Sequence, residues 1–328
     1  MYDRLRVFSG IQPTGTLHIG NYFGAIRNWI ALQNDYHCIY SIVDYHAITA
    51  PFEPDRLHGR CHDLALDLLA CGIDPKRSIL FIQSAVPEHA ELSWILSAIT
   101  SFGDLSRMTQ FKEKSQEKEF ISAGLFTYPI LQAADILLYR AQRVPVGEDQ
   151  LQHLELSRRI ARRFNSRFGD FFPEIEPLVG KGARIMSLAN PSRKMSKSDG
   201  EAHYIGVMED ERSIRKKIRS AVTDIGPKPE QGMSEGVANL FQILELTGES
   251  DLYHELQAEF TAGTLLYSNL KEIVFQALVK ILRPVQERRA VLAAEGQIEK
   301  ILSAGAERAR AIAKENIRVI RRMVGLEL

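Results

Sequence analysis

Two short segments, far apart in the chain, carry residue types that could bind a triphosphate. The first, residues 8–21, combines three glycines and Pro13 with His18 and Asn21, which are three positions apart. Apolar residues before it predict a strand, and the apolar spacing after it predicts a helix. A helix that begins at such a turn presents unpaired backbone N–H groups and the positive end of its dipole. We therefore expect an anion to bind here, with the His18 ring and the Asn21 amide as donors to phosphate oxygens.

The second segment is residues 194–198, with the sequence Lys-Met-Ser-Lys-Ser, followed by Asp199 and Gly200. Two lysines separated by small or flexible residues predict a mobile basic loop that binds a polyphosphate and releases it. Each segment alone has an ordinary interpretation, the first as a turn in an α/β protein and the second as a solvated linker. The first matches neither Gly-x-Gly-x-x-Gly nor a Walker phosphate loop. Only the two segments together predict nucleotide chemistry.

Together, the His-x-Gly-Asn turn and Lys-Met-Ser-Lys-Ser resemble the paired signatures of class I aminoacyl-tRNA synthetases. Within that class the chain resembles the bacterial tryptophanyl-tRNA synthetases, from residue 7 to near the C-terminus. The other segments that carry the resemblance are residues 9–13, 43–49, 107–112, 128–139, 144–150 and 182–186. The resemblance implies that ATP activates L-tryptophan, which is then transferred to tRNA(Trp). It also implies Mg²⁺ that bridges the phosphates with few protein ligands, and we predict no metal site made by the protein itself.

The helix predicted over residues 126–140 carries an unusual polar stripe. Tyr128, Gln132 and Asp135 fall at i, i+4 and i+7, hence on one face, among apolar neighbours. Buried polar groups need partners, and the N–H of an indole needs an acceptor such as the Asp135 carboxylate. Gln132 stands where some tryptophanyl enzymes carry methionine, and the same stripe resembles the side-chain pocket of tyrosyl-tRNA synthetases. Tryptophan remains the predicted substrate, because residues 10–13 and 147–150 resemble the tryptophanyl enzymes, and tyrosine is the alternative.

The resemblance also implies roles for individual residues. The predicted catalytic residues are His18, Asn21, Lys114, Lys194 and Lys197. The predicted nucleotide-binding residues are Gln12, Pro13, Thr14, Gly20, Asn21, Gly147, Glu148, Asp149, Ile185, Lys194, Met195, Ser196, Lys197 and Ser198. The predicted amino-acid pocket comprises Phe8, Gly10, His46, Tyr128, Gln132, Asp135, Val144, Val146 and Gln150. Lys114 lies in residues 110–120, which we predict to be a polar loop; a solvated charge run is the ordinary alternative.

Strand and helix patterns alternate through the first two thirds of the chain. The apolar run of residues 37–43 predicts a strand buried on both faces, and residues 56–70 and 78–83 predict a helix and the next strand. We therefore predict the α/β class, with a doubly wound parallel sheet of the Rossmann-like, HUP type. The helix predicted at residues 91–102 is apolar on more than one face. A plain core helix explains this, but the resemblance implies a homodimer interface.

Beyond Gly200 only helical periodicity is evident, over residues 210–222, 237–246, 252–260, 270–287 and 298–323. Pro284 should kink or end its helix. We predict a catalytic domain at residues 1–203 and an all-helical C-terminal domain at residues 204–328. By resemblance, the second domain binds the tRNA anticodon, and its last helix packs back on the first.

Composition narrows the possible classes of protein. The chain has 328 residues, 45% hydrophobic and 25% charged, with a formal net charge of zero. These values fit a globular protein. Because the molecule as a whole is no polycation, a nucleic-acid partner must be met by a local basic face. We expect a cytoplasmic protein without a signal peptide or membrane contact, and reduced thiols at Cys38, Cys61 and Cys71.

Two further classes of function compete with a synthetase. A non-catalytic tRNA-binding relative could lose His18, Lys194 or Lys197, yet all three are present. A small-acid adenylate-forming ligase of the same nucleotidyltransferase fold would have no use for a helical region of this size. Both alternatives predict that tryptophan does not support ATP–pyrophosphate exchange.

Overall fold

The fold is described from a computed structural model, which covers residues 4–116, 121–147, 150–179, 184–224 and 232–326. The chain forms two compact units. The sheet unit comprises Met1–Gly15, Trp29–Gly180 and Gly296–Leu328, and the helical unit comprises Thr16–Asn28 and Lys181–Glu295. The division thus differs from the predicted boundary between residues 203 and 204, since residues 16–28 and 181–203 cluster with the C-terminal helices.

A five-stranded parallel sheet forms the centre of the sheet unit. Its strands are β1 (Arg6–Ile11), β2 (His37–Ile42), β3 (Ile79–Ile82), β4 (Arg143–Val146) and β5 (Glu176–Val179), in the spatial order β3-β2-β1-β4-β5. The apolar run in β2 is buried on both faces, as parallel strands covered by helices require. The predicted doubly wound sheet is therefore confirmed.

The order of the strands reverses between β1, the middle strand of the sheet, and its neighbour β4. In open parallel sheets, ligands bind outside the carboxyl ends of the strands at such a reversal. Gly10 lies near that end of β1, and a Cβ atom there would come 2.8 Å from Val43 Cγ1. Glycine therefore lets β1 and the end of β2 approach closely at the edge where a ligand would bind.

Helices cover both faces of this sheet. In chain order they are α3 (Asp44–Ala47), α4 (Pro54–Cys71), α5 (Glu88–Ser97), α6 (Phe102–Ser106), α7 (Thr109–Gln116), α8 (Ala123–Leu137) and α9 (Leu151–Phe168). The helix predicted at 91–102 is thus two helices, α5 and α6. Cys38, Cys61 and Cys71 are buried, and none of them forms a disulfide within the described residues.

The prediction of a loop at residues 110–120 is wrong for its first part, because α7 runs from Thr109 to Gln116. Lysine, glutamate and glutamine are good helix formers, so the polar composition that suggested a loop is equally compatible with an exposed helix. Phe111 anchors α7, since its ring packs edge-on against Phe126 of α8 at 4.9 Å. The Ser122 side chain caps α8 by accepting from the Leu125 N–H at 3.1 Å.

The last helix, α14 (Ile298–Val324), belongs to the sheet unit and packs on β3 and α5. A Cβ atom on Gly305 would lie 1.9 Å from the carbonyl oxygen of Leu80, so the helix rests directly on the strand backbone. Arg308 Nη1 donates to the Ser78 carbonyl at 3.1 Å, and Asn316 Nδ2 donates to the Leu138 carbonyl at 2.8 Å. Burial and hydrogen bonds together hold α14 on the sheet unit.

The helical unit contains the short helix α1 (Ile19–Asn21), the π-helical turn that follows it (Tyr22–Ile26) and the first two residues of α2 (Arg27–Leu32), whose other residues belong to the sheet unit. Its other helices are α10 (Glu211–Ser220), α11 (Glu235–Thr247), α12 (Ser250–Ala262) and α13 (Tyr267–Glu295). Pro284 lies inside α13 and does not end it, so the predicted end near residue 287 is wrong. None of the helices in the described ranges is both long and apolar enough to cross a membrane.

Candidate active site

The first candidate site lies in the helical unit, at the turn that precedes α1. Residues 17–19 pair with residues 205–207: the Ile19 N–H donates to the Ile205 carbonyl at 3.0 Å, and the Val207 N–H donates to the Leu17 carbonyl at 2.8 Å. His18 forms an antiparallel bridge with Gly206 between these two bonds. The turn therefore has a fixed backbone, independent of any ligand.

His18 and Asn21 meet at this turn, as their spacing predicts. The Asn21 Oδ1 accepts from the His18 N–H at 3.3 Å, which closes the turn at the start of α1. The His18 ring is 7% exposed, and within the described part of the chain its Nδ1 has no hydrogen-bond partner. A buried ring nitrogen without a partner costs free energy, so a ligand that supplied one would bind favourably.

Residues 194–198 lie against the same turn. Lys197 Nζ donates to the Thr16 carbonyl at 3.0 Å. Met195 is 3% exposed, and its Cβ would lie 3.8 Å from a Cβ atom placed on Gly20. The two segments that the sequence analysis paired therefore lie together in the structure.

Electrostatics at the turn favour a neutral His18. Burial, reinforced by the charges of Lys197 and Lys194, lowers the pKa of His18 from 6.5 to about 4. At neutral pH the ring is uncharged, so it offers one N–H donor and one acceptor. The positive charge of the site consequently resides on the two lysines, which is the arrangement that an anion requires.

Residues 194–198, which contain the two lysines, follow from one strand of a hairpin. Met186 forms an antiparallel bridge with Lys194, the Ser187 N–H donates to the Arg193 carbonyl at 2.8 Å, and the Met195 N–H donates to the Ile185 carbonyl at 3.0 Å. After the hairpin, the Ser196 side chain caps the turn Lys197–Asp199. Lys194 is exposed and Ile185 is buried. Backbone pairing thus sets which side chains of this segment are exposed.

The second candidate site lies in the sheet unit, around Asp135 of α8. Asp135 is 2% exposed. Its Oδ2 is 2.7 Å from His46 Nε2, and its Oδ1 is 2.7 Å from both His89 Nδ1 and Gln83 Nε2. Burial alone would raise the pKa of Asp135, but the charges and hydrogen bonds of His46 and His89 outweigh it and lower that pKa. The site therefore holds an ionised, fixed carboxylate.

His89 and Gln83 are the residues that the sequence analysis missed. Gln83 directly follows the carboxyl end of β3, and its Oε1 also accepts from the Tyr45 N–H at 3.2 Å. His89 is fully buried on α5, and its Nε2 lies 2.8 Å from the Tyr139 hydroxyl. The position of Gln83 at a strand end was a usable signal, whereas nothing local distinguished His89.

Tyr128 lies on the same face of α8 as Asp135, as predicted. Its hydroxyl donates to Gln110 Oε1 at 2.9 Å and lies 2.8 Å from His153 Nε2. Burial raises the pKa of Tyr128 to about 12, so the hydroxyl is protonated throughout the physiological range. Its ring contacts His46 edge-on at 6.3 Å. Gln132, between the two on this face, is half-buried.

The remaining residues predicted for the amino-acid pocket lie along β1, β4 and the start of α9. Phe8 is buried and its ring stacks on Tyr139 at 5.6 Å. Val144 is buried, Val146 is half-buried at the end of β4, and Gln150 is the N-cap of α9. The β1 and β4 residues flank the reversal of strand order. Phe8 contributes to the core of the sheet unit through its stacked ring.

The other predicted nucleotide-binding residues are less informative. Gln12 and Thr14 are exposed and Pro13 is buried, while Gly147 follows β4. Glu148 and Asp149 lie outside the described residues. Lys114 lies within α7.

A cavity of about 430 Å³ opens in the sheet unit beside Tyr128. Its lining is mostly apolar and includes Ile48, Ala90 and Leu131, together with Tyr45 and Ser93. Of the predicted site residues, its lining includes Tyr128 alone. The cavity therefore borders the polar face of α8 but does not mark the Asp135 cluster itself. Among the residues whose placement is known, no group of three or more His, Cys, Asp or Glu could hold a metal ion.

Comparisons with known proteins agree with this geometry. The model of the family described as "tRNA synthetases class I (W and Y)" matches residues 2–283. A tryptophan–tRNA ligase of Caldanaerobacter subterraneus subsp. tengcongensis is 46% identical over 98% of this chain and 99% of that protein. A second, from Halalkalibacterium halodurans, is 47% identical over 98% of this chain and 97% of that protein.

A solved structure extends the likeness to three dimensions. The tryptophanyl-tRNA synthetase of Campylobacter jejuni, complexed with ADP and tryptophan, matches with a TM-score of 0.85 and 35% identity. The match covers 98% of this chain and 100% of that one. With its parallel sheet, the contact between Thr16 and Lys197 that joins the two signature segments, and these relatives, the chain belongs to the class I tRNA synthetases, in the tryptophan–tRNA ligase family.

Proposed function

We propose that this protein is a tryptophan–tRNA ligase. It activates L-tryptophan with ATP to give tryptophanyl-adenylate and pyrophosphate, and then transfers the tryptophanyl group to tRNA(Trp). The observation that carries the proposal is the meeting of His18 and Gly20 with residues 194–198 at one turn of the helical unit. The Campylobacter jejuni enzyme binds tryptophan and ADP, which shares the adenosine and two of the phosphates of ATP, and this supports the proposal.

In the first step, a tryptophan carboxylate oxygen attacks the α-phosphorus of ATP in line. An O–P bond forms, the bond between the α-phosphorus and the bridging oxygen breaks, and pyrophosphate leaves with that electron pair. The protein need not form a covalent bond, because positioning and charge stabilisation dominate such transfers. Lys194 and Lys197 stabilise the charge that develops on the pyrophosphate, and neutral His18 donates a hydrogen bond to a phosphate oxygen.

The nucleotide is held mainly through its phosphates in this scheme. The Gly20 backbone and the Asn21 amide line the turn, and Lys114 of α7 approaches the pyrophosphate. Gln12, Pro13, Thr14, Gly147, Glu148, Asp149 and Ile185 bind the nucleoside end. Met195, Ser196 and Ser198 set the backbone between the two lysines.

Mg²⁺ accompanies ATP in the proposal. The donors at the turn are lysines, an imidazole and an amide, which suit phosphate rather than a metal. The cation would therefore be held by phosphate oxygens and supply charge neutralisation there. The part of the chain that the structure describes offers no acidic cluster for it.

Selectivity for tryptophan rests on the Asp135 carboxylate. Each carboxylate oxygen can accept about two hydrogen bonds. Oδ1 already accepts from His89 and Gln83, whereas Oδ2 contacts His46. Oδ2 therefore retains capacity for the indole N–H of tryptophan. Phenylalanine would leave that capacity unused in a dry pocket, which disfavours it.

The remaining pocket residues would shape the site around the indole ring. These are Phe8, Gly10, His46, Tyr128, Gln132, Val144, Val146 and Gln150. Gln132 lies on the same face of α8 as Tyr128 and Asp135, and its effect on the choice between tryptophan and tyrosine is measured by the exchange assay.

Assembly and partners complete the proposal. The side chains of Trp94 on α5 and Phe102 on α6 are 78% and 74% exposed, which is unusual for large apolar groups. We propose that they belong to a homodimer interface. Helices α10–α13 bind the anticodon region of tRNA, and the enzyme acts in the cytoplasm.

ATP–pyrophosphate exchange with single amino acids tests this function directly. We expect label to enter ATP with tryptophan and not with tyrosine or phenylalanine. Exchange that depended on tyrosine would overturn the substrate assignment. If no amino acid supported exchange, the chain would be a non-catalytic relative.

A further inference from the structure

One side chain of α11 contacts the backbone of the hairpin that ends in residues 194–198. Asn239 Nδ2 donates to the Met186 carbonyl at 3.0 Å, and Asn239 Oδ1 accepts from the Met186 N–H at 2.9 Å. Asn239 is only 4% exposed. A single amide thus satisfies both backbone groups of one residue, as a neighbouring β-strand would.

Asn239 is a polar residue on the buried, mostly apolar face of α11. Its buried neighbours on α11 include Val237, Leu240, Phe241 and Leu244. Burial of an amide costs about 1–3 kcal/mol unless its donor and acceptor are both satisfied. Met186 satisfies both sides of Asn239. An apolar residue at this position would pack equally well but would leave the Met186 N–H and carbonyl without these two bonds. The role of Asn239 is therefore to hold the backbone of Met186.

Met186 is the residue that pairs with Lys194 in the hairpin. A slip of one residue in that pairing would move every side chain to the opposite face. The side chain of Lys194 would then lie on the opposite face of the hairpin, and Lys197 would lose its bond to the Thr16 carbonyl. Asn239 therefore acts on the lysines through the register of the hairpin.

The other contacts of this short strand show that it is a fixed support. The Leu188 N–H donates to the His203 carbonyl at 3.3 Å, and the Val222 N–H donates to the Leu188 carbonyl at 2.8 Å. The Ser187 hydroxyl lies 2.9 Å from His203 Nδ1. A Cβ atom on Gly236 of α11 would lie 2.3 Å from the Val222 carbonyl, so glycine lets the helix approach this closely.

We propose that Asn239 is a positioning residue for adenylate formation. Through Met186 it fixes the register in which Lys194 and Lys197 meet the departing pyrophosphate. The inference rests on the proposed function, because it assigns those lysines to the pyrophosphate. It predicts an effect on the first step alone, since transfer from tryptophanyl-adenylate to tRNA produces no pyrophosphate.

The experiment compares Asn239→Asp, Asn239→Ser and a matched control on the same helix. Aspartate keeps the size and one acceptor but turns an oxygen towards the Met186 carbonyl, whereas serine is too short to make both bonds. We expect kcat for tryptophan-dependent exchange to fall about 10²-fold in Asn239→Asp, the scale of a misplaced catalytic group, and less in Asn239→Ser. The KM for tryptophan should stay within about twofold, because serine or aspartate changes no group near Asp135. The exposed Glu245→Ala should behave as wild type.

A second assay separates positioning from a general structural role. Tryptophanyl-adenylate made beforehand is supplied to each variant, and its transfer to tRNA is measured. We expect rates close to wild type. Unchanged exchange in Asn239→Asp, or an equal loss in both assays, would overturn the inference.

A third measurement needs no variant, and so it tests the inference even if the Asn239 variants do not fold. In the wild-type protein, hydrogen exchange at the Met186 amide should be slow and comparable to that of Ser187. Rapid exchange at Met186 alone would overturn the inference. A wild-type protein without tryptophan-dependent exchange would instead count against the proposed function, while the hydrogen-exchange result would still judge the support of the hairpin.

Discussion

The two candidate sites are built on opposite principles. Around Asp135 in the sheet unit, charge is buried and enclosed by hydrogen-bonding side chains. At His18 in the helical unit, backbone pairing fixes the turn, and the charge of Lys194 is exposed. The difference follows from the two tasks. Recognition of one heterocycle requires a dry acceptor of fixed direction, whereas a polyphosphate requires positive charge that can bind and then release it.

The two designs also differ in what they risk. Removal of one partner from a buried, hydrogen-bonded charge leaves the others unpaired, at a cost of about 3–5 kcal/mol. Removal of an exposed lysine costs little stability, because solvent and salt already screen it. Mutations should therefore harm folding and specificity at the Asp135 site, and turnover at the His18 site.

The largest expected effect is that of Asp135→Ala. Exchange with tryptophan should fall by about 10⁴-fold, because the indole loses its acceptor and His46, His89 and Gln83 lose theirs. The free energy of unfolding should fall by about 3–5 kcal/mol. Steady-state exchange and urea unfolding measure the two effects. Asp55→Ala, an exposed carboxylate on α4, is the control, and similar losses there would contradict the account.

Lys194→Ala, which removes an exposed lysine, should have the next largest effect, and of a different kind. Loss of charge at the departing pyrophosphate should lower kcat for exchange by about 10²–10³-fold. The affinity for tryptophan and the free energy of unfolding should stay near wild type. Lys216→Ala, an exposed lysine on α10, is the matched control. A rise in the dissociation constant for tryptophan without loss of kcat would contradict the contrast between the sites.

Tyr139→Phe tests the support of Asp135 with a smaller change. It removes the hydroxyl beside His89 Nε2 and keeps the ring that stacks on Phe8. An unpaired buried nitrogen costs about 1–3 kcal/mol. We expect the KM for tryptophan to rise about tenfold at most, with the KM for ATP unchanged. Equal changes in both KM values would show that the tyrosine supports the fold rather than the pocket.

The smallest effect concerns the titration of His18. Its pKa is about 4 in the folded protein and 6.5 when exposed, so the unfolded chain binds more protons between these values. This contribution to stability is full above pH 6.5 and is lost as the pH falls towards 4. The unfolding free energy of wild type relative to His18→Gln should therefore decrease from pH 7 to pH 5. A difference that does not change with pH would contradict a neutral, buried His18.

Much of the fold could be predicted because its signals are local. The apolar run of β2 and the turn before α1 each lie within a dozen residues. The same local reading failed at α7, where lysine and glutamate fit an exposed helix as well as a loop. It also could not show that Gly305 brings α14 onto the backbone of Leu80.

The candidate sites divide in the same way. His18 and Asp135 stand out because their types and spacing suggest chemistry. His89 and Asn239 do not, because each acts through a partner that is distant in the sequence: His89 contacts Asp135, 46 residues away, and Asn239 contacts Met186, 53 residues away. Tertiary packing determines which of these residues come into contact, and the periodic pattern of the sequence carries no information about that packing.

The most direct test of the central claim measures which amino acid drives incorporation of labelled pyrophosphate into ATP. The account predicts incorporation with tryptophan in the wild-type protein and almost none in Asp135→Ala. Incorporation that followed tyrosine, or that persisted unchanged without the Asp135 carboxylate, would contradict it.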